Sequence, residues 1–172
     1  MHDDRYLFTS ARTGLRELVP SDADFIRALL NEPSFLRFIG DRQVRTTAEA
    51  EHFTETRYRQ AYRDHGYGLW LVERRADHAV MGLCGFVRRD ALPHADLGFA
   101  FLPAYEGQGY AFEATQASLA YGAATLGLTQ VLAIVQPDNA RSIRLLERLG
   151  FVADGSVTMP GDTQPVRLYR TG

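Results

Sequence analysis

The chain has 172 residues, 45% hydrophobic and 23% charged, with 19 basic against 21 acidic side chains and a formal charge of −2. That profile fits one folded domain over 1–172 and excludes a disordered chain, and no basic surplus recommends nucleic acid as a partner. A lone Cys84 excludes an internal disulfide; with no apolar run of about 18 residues and a polar N-terminus, the expectation is a cytoplasmic protein with no membrane partner.

In chain order, residues 15–19 (Leu-Arg-Glu-Leu-Val) suit a first strand. Pro20-Ser21-Asp22 ends it and offers an N-cap to a helix carrying Phe25, Ile26, Leu29 and Leu30, which must stop near Pro33. Residues 35–40 read as a short apolar helical turn. Thr46 or Thr47 followed by Glu49 and Glu51 reads as a capped start of a helix reaching about Arg63. Along it Glu51, Glu55, Arg59 and Arg63 recur every four residues, either a solvated face or an attraction for a cationic substrate. Residues 68–74 and 80–87 form a hairpin across the polar turn at 76–78. Trp70 and Tyr67 suit core or cleft wall equally.

Residues 95–124 form the centre of the reading. Leu97, Phe99 and Phe101 alternate with smaller residues and predict a strand closed by Pro103. Tyr110, Ala114, Ala117, Tyr121, Ala124 and Leu128 recur at helical spacing as one apolar stripe. Between them lies Tyr105-Glu106-Gly107-Gln108-Gly109-Tyr110-Ala111. Two glycines a residue apart let the backbone turn tightly and approach a ligand, and a helix N-terminus offers N–H groups to an anion. The loop is therefore either a main-chain phosphate cradle or a strand-to-helix turn that uses glycine for geometry alone. A P-loop is excluded, because the chain has no lysine, and Phe112 breaks the dinucleotide fingerprint.

Residues 130–135 predict a strand parallel to 95–102, reached by a helical crossover. Asp138 or Asn139 then caps a helix with Ile143, Leu146 and Leu149, ending at Gly150 in a Schellman motif. Strands near 151–157 and 164–170 close the chain as an antiparallel pair. The fold class is a mixed α/β sheet of six to seven strands with about four helices and no internal repeat. The five histidines show no metal-ligand spacing, so no metal is expected. Cys84, in an apolar strand, reads as buried and inert.

The chain resembles the GCN5-related N-acetyltransferase (GNAT) family, and within it the ribosomal-protein N-acetyltransferase branch. The resemblance rests on Leu15-Arg16-Glu17-Leu18 with Asp22-Ala23, the strand from Met81 to Phe86, and Asp96-Leu97-Gly98-Phe99. It extends through Gly107-Gln108-Gly109-Tyr110-Ala111 with Glu113-Ala114, then Asn139 and Ser142, and Glu147-Arg148-Leu149-Gly150-Phe151. What it implies is an acetyl-CoA-dependent N-acetyltransferase with a splayed parallel strand pair. The pantetheine arm would lie along Phe99, Ala100, Phe101 and Leu102, and the pyrophosphate on Gly107, Gln108, Gly109, Tyr110 and Ala111. Asn139 and Ser142 would contact the cofactor, the alternative for Asn139 being a plain helix cap. A primary amine, of a small molecule or a peptide, would attack the thioester directly. A main-chain N–H near residues 99–101, where the family's strand bulges, would polarise the carbonyl.

For the proton, Asp96 stands where relatives carry a catalytic Glu, at the mouth of the splayed strands; it is either the base, acting through water, or a strand-end residue near His94. Leu146 replaces the family's thiolate-protonating Tyr, leaving Ser142 as substitute donor or as a helix-face serine. Glu106 replaces Gln or Arg at the head of the loop, so its side chain should turn away from the phosphate. A non-catalytic acyl-CoA-binding or sensor module is the alternative function. The family's habit of pairing suggests a homodimer.

Overall fold

The structure, a computed structural model, describes residues 3–172. Two-residue alternation and 3.6-residue recurrence sort the chain into strands and helices that share one sheet. The strands are β1 (Phe8–Thr9), β2 (Thr13–Arg16), β3 (Leu69–Arg74), β4 (Val80–Val87), β5 (Asp96–Phe101), β6 (Leu132–Val135), β7 (Val152–Val157) and β8 (Val166–Arg170). Their order across the sheet is β1-β2-β3-β4-β5-β6-β8-β7. Every neighbouring pair is antiparallel except β5 and β6. The helices are α1 (Ala23–Leu30), α2 (Pro33–Phe38), α3 (Thr47–Phe53), α4 (Gln60–His65), α5 (Tyr110–Thr125) and α6 (Ala140–Arg148).

Eight strands exceed the six to seven expected because β1 has two residues, too short to show alternation; it is tied down by the Leu7 N–H donating to the Leu15 carbonyl (2.8 Å). The first long strand lies two to three residues earlier than residues 15–19. Asp22 occupies the cap position of α1 without capping it. Its carboxylate accepts from the Val19 N–H (2.9 Å) and Arg16 (2.9 and 3.0 Å) instead. Thr46 does cap α3, in a capping box with Glu49. A wide helical turn at Thr54–Arg59 joins α3 to α4, so 47–65 is one helical run. On it Glu55 pairs with Arg59 (3.2 Å) and Arg63 (2.9 Å) as a solvated face.

The core packs α5 against the middle of the sheet. Trp70, 1% exposed, meets Phe8, Phe86 and Tyr121 edge-on, with ring centres 5.3 to 5.9 Å apart, and is core. The buried face of α5 differs from the expected stripe: Tyr110 and Ala114 are buried on it, but so are Thr115, Ser118 and Gly122, whereas Ala124 is exposed. The reason is close approach. A Cβ at Gly122 would stand 2.8 Å from the Phe86 ring, and Ser118 Oγ lies 3.4 Å from Cys84 Sγ.

Under the N-terminal edge, Glu73 is fully buried and accepts from Arg5 (2.7 and 2.8 Å), Arg16 (2.8 Å) and the Tyr6 hydroxyl (2.8 Å). Burial raises its pKa, but these donors outweigh that and hold the carboxyl down at about 2.

Candidate active site

β5 pairs with β4 residue for residue from Val87↔Asp96 to Gly82↔Phe101. The bulge expected near residues 99–101 is therefore absent; the nearest register shift lies between β3 and β4, at Val72/Glu73. Leu102 donates its N–H to the Met81 carbonyl (2.9 Å), which sets the alternation. Main-chain groups of Asp96, Gly98, Ala100 and Leu102 turn to β4, and those of Leu97, Phe99 and Phe101 turn to β6. On that side the pairing stops almost at once. Asp96↔Leu132 is the single Cα register, and Leu132 donates to the Ala95 carbonyl (2.9 Å). β6 turns its other edge to β8 over four residue pairs. A wedge thus opens beyond residue 96, with the amides of Phe99 and Phe101 along one wall. Of the four residues expected along the pantetheine, Ala100 and Leu102 have their main chain committed to β4.

At the open end of β5 a short turn (Pro103–Tyr105) leads into Glu106, Gly107, Gln108 and Gly109, the last being the N-cap of α5. Gly107 (φ +73) and Gly109 (φ +84) adopt left-handed backbone, and this lets the loop fold under the helix end. Among the described residues, no N–H from 107 to 112 meets a protein acceptor; the ladder of α5 starts at Glu113, whose N–H donates to the Gly109 carbonyl (3.1 Å). These successive free donors stand at the positive end of a sixteen-residue helix, an arrangement suited to an anion. Asp3, Arg12, Arg74, Arg75 and Tyr110 line a hollow of about 460 Å³ beside it, with Arg12 paired to Glu113 (2.9 Å) and Arg74 to Asp77 (2.7 Å). Glu106 forms an ion pair with Arg141 in the first turn of α6, which turns its charge away from the free donors and links the two lips of the wedge.

Asp96 lies at the closed end of the wedge, not at its mouth. Sequence position marks a strand start but does not say which end of a strand pair splays. Its side chain is 2% exposed and accepts from Arg89 Nε (3.0 Å). Burial pushes the carboxyl up to about 6, against the opposing pull of Arg89. His94 is exposed. Asn139 caps α6, its Oδ1 accepting from the Ser142 N–H (3.3 Å). The Ser142 hydroxyl is half-buried and makes no hydrogen bond among the described residues. Asp96 and Ser142 stand at opposite ends of β6, about 10 Å or more apart at ~3.3 Å per strand residue, so the wedge separates them. Cys84 is sealed in the core and its thiol is pushed up to about 12 by burial. Arg12 and Arg141, which brace the loop and the lips, carried no sequence signal, because their partners lie 101 and 35 residues away.

The comparisons agree with this geometry. Residues 12–152 match a sequence model of the acetyltransferase (GNAT) domain. The chain belongs to the GNAT family. An uncharacterized N-acetyltransferase of Bacillus subtilis, YoaA, is 29% identical over 82% of this chain and 80% of its own. A spermidine N(1)-acetyltransferase of Escherichia coli is 25% identical over 83% of this chain and 74% of its own. RimL, a ribosomal-protein alpha-N-acetyltransferase solved in complex with coenzyme A, superposes with a TM-score of 0.80 at 18% identity, covering 95% of this chain and 96% of its own. The wedge and the free-donor loop are thus parts of a GNAT fold, and the chain is an acetyl-CoA-dependent acyltransferase.

Proposed function

We propose that the chain moves an acetyl group to a primary amine by direct attack on the thioester, with no acyl-enzyme stage. The observation that carries this is the run of free N–H groups from 107 to 112 standing at the mouth of a wedge whose wall offers the Phe99 and Phe101 amides. The first fits a diphosphate and the second an amide-bearing arm added as a strand. Acetyl-CoA supplies both, together with an activated acyl group. Cys84, inaccessible and held as a thiol, supports the direct route.

Gly107, Gln108, Gly109, Tyr110 and Ala111 hold the diphosphate through main chain, and the free amide nitrogen of Asn139 faces the arm. Asp96, at the closed end, accepts the ammonium proton through water; a carboxyl titrating at about 6 is ionised at neutral pH yet still basic enough to take a proton. Ser142, at the far end of β6 from Asp96, lies on the donor-loop side of the wedge, so the departing thiolate takes its proton from water. For the acceptor, α2 forms one wall, tied to the β6–α6 turn by Arg37 on Asp138 (3.2 Å). The acceptors in the names of two relatives, spermidine and a ribosomal protein, are amines, and that supports an amine here. The test is thiol release from acetyl-CoA across a panel of polyamines, amino acids and peptides with free N-termini. Release that depends on one amine supports the reading; tight CoA binding with no acceptor-dependent release sinks it.

A further inference from the structure

Arg12 sits in the turn between β1 and β2, yet its contacts converge on the loop and on the first turn of α5. Its Nε donates to Glu113 Oε2 (2.9 Å), and its main-chain N–H donates to Glu113 Oε1 (2.5 Å), which also accepts from Ser10 Oγ (2.5 Å). Its Nη2 donates to the Gln108 carbonyl (3.1 Å), and the guanidinium lies 4.4 Å from the centre of the Tyr110 ring. A trans peptide points its carbonyl and its N–H in opposite directions. Holding the Gln108 carbonyl toward Arg12 therefore turns the Gly109 N–H away from it, to the side where no protein acceptor stands. The Arg12 charge is already matched by Glu113, so what the side chain adds is geometry rather than attraction.

We propose that Arg12 is a positioning residue for the cofactor's diphosphate. By gripping the Gln108 carbonyl and Glu113 from a position over the Tyr110 ring, it fixes the Gln108–Gly109 peptide with its N–H outward before the ligand arrives. Preorganised donors bind without the ordering cost that a mobile glycine loop would otherwise impose. This rests on the acetyl-CoA reading of the site. It also sets Arg12 apart from a simple basic attractor, because a lysine would keep the charge but not the planar fork that serves two acceptors at once.

The experiment titrates CoA by calorimetry into the wild type, Arg12→Met and Arg12→Lys, and measures transfer from acetyl-CoA and from acetyl-pantetheine, a donor without the diphosphate. Both variants should raise the Kd for CoA and the KM for acetyl-CoA about tenfold, the equivalent of one charge-assisted hydrogen bond, with kcat nearly unchanged. The loss should be confined to the donor that carries the diphosphate. Wild-type affinity in Arg12→Lys, or an equal fall in kcat/KM for both donors, overturns the proposal. Should Arg12→Met not fold, Arg12→Lys, which keeps the stem over Tyr110, decides alone. A wild type that binds no CoA removes the acetyl-CoA reading itself, whereas a wild type that binds beside unaffected variants removes the role of Arg12 only.

Discussion

Substituting Gly109 by alanine tests the cradle and its brace together. At φ +84 any L-residue is strained, at about 1–2 kcal/mol. A Cβ there would lie 3.1 Å from Arg12 Nη2, so the guanidinium must move by a few tenths of an ångström and weaken its bond to the Gln108 carbonyl, costing about 1 kcal/mol more. The sum is roughly 2–3 kcal/mol, which for a chain of this size lowers the Tm by about 4–12 °C. Gly107 supplies the control. It has a similar φ of +73, but a Cβ there meets nothing within 4 Å, so Gly107→Ala should show the backbone cost alone. Because Gly109→Ala disturbs the peptide that aims the Gly109 N–H, the Kd for CoA should rise about tenfold or more, as for the loss of one hydrogen bond to an anion. Thermal melts and calorimetric CoA titrations read both quantities. A Gly109→Ala protein that melts early yet binds CoA like the wild type would show that the diphosphate lies elsewhere. Equal destabilisation of the two variants would remove Arg12 from the explanation.

Asp96→Asn should lower kcat/KM at least about 10²-fold at neutral pH with CoA affinity kept, and the wild-type rate should climb as pH rises through about 6; a variant retaining a third of the activity excludes Asp96 as the base. The same raised pKa means that ionisation destabilises the fold between the ordinary carboxylate range and pH 6, so Asp96→Asn should flatten the fall in stability over that window when denaturation is followed against pH. Ser142→Ala should leave kcat in place and change at most the KM for acetyl-CoA; a fall in kcat alone would put Ser142 at the thiolate instead. Glu73→Gln leaves two arginines without their buried anion and should cost about 3 kcal/mol or more at pH 7 by urea titration. Since the Glu73 pKa is lowered in the fold, that contribution is present above about pH 4.5 and is lost toward pH 2, so the gap between the two proteins should close on acidification.

What the sequence disclosed was whatever local hydrogen bonds decide. The capping box at Thr46 and Glu49 was readable because both partners lie within one turn. The ending of α6 was readable for the same reason: Gly150 donates to the Glu147 carbonyl and Phe151 to the Leu146 carbonyl, each at 3.0 Å, with Gly150 at φ +90. The hairpin of β3 and β4 was readable from its alternation, and its bounds match to within one residue. Periodicity failed on α5, where polarity was a poor guide to burial. Thr115, Ser118 and Gly122 face the sheet because they are small, and Thr115 satisfies its hydroxyl on the Ala111 carbonyl (2.7 Å). The donor run of the loop was legible from two glycines, but the side chains that hold it were not. Ser10, Arg12 and Glu113 meet only once the sheet has brought the first turn against α5.

The wedge follows from how the sheet distributes its hydrogen bonds. β5 has its outer edge matched along its full length by β4, and β6 has its outer edge matched by β8, so neither strand needs the other to be stable. Their inner edges can therefore part after Asp96↔Leu132, leaving main-chain groups that would elsewhere be a liability for stray pairing. Here the exposed edge is short, and the Glu106–Arg141 pair spans its open end. The free edge runs about 20 Å at ~3.3 Å per residue from the buried Asp96 to the donor loop. A ligand that is anionic at one end and amide-bearing along its length can be read by both features only in one direction. In the proposed complex its phosphate end would rest on α5, and its reactive end would reach the Asp96 carboxyl, whose pKa burial raises to about 6.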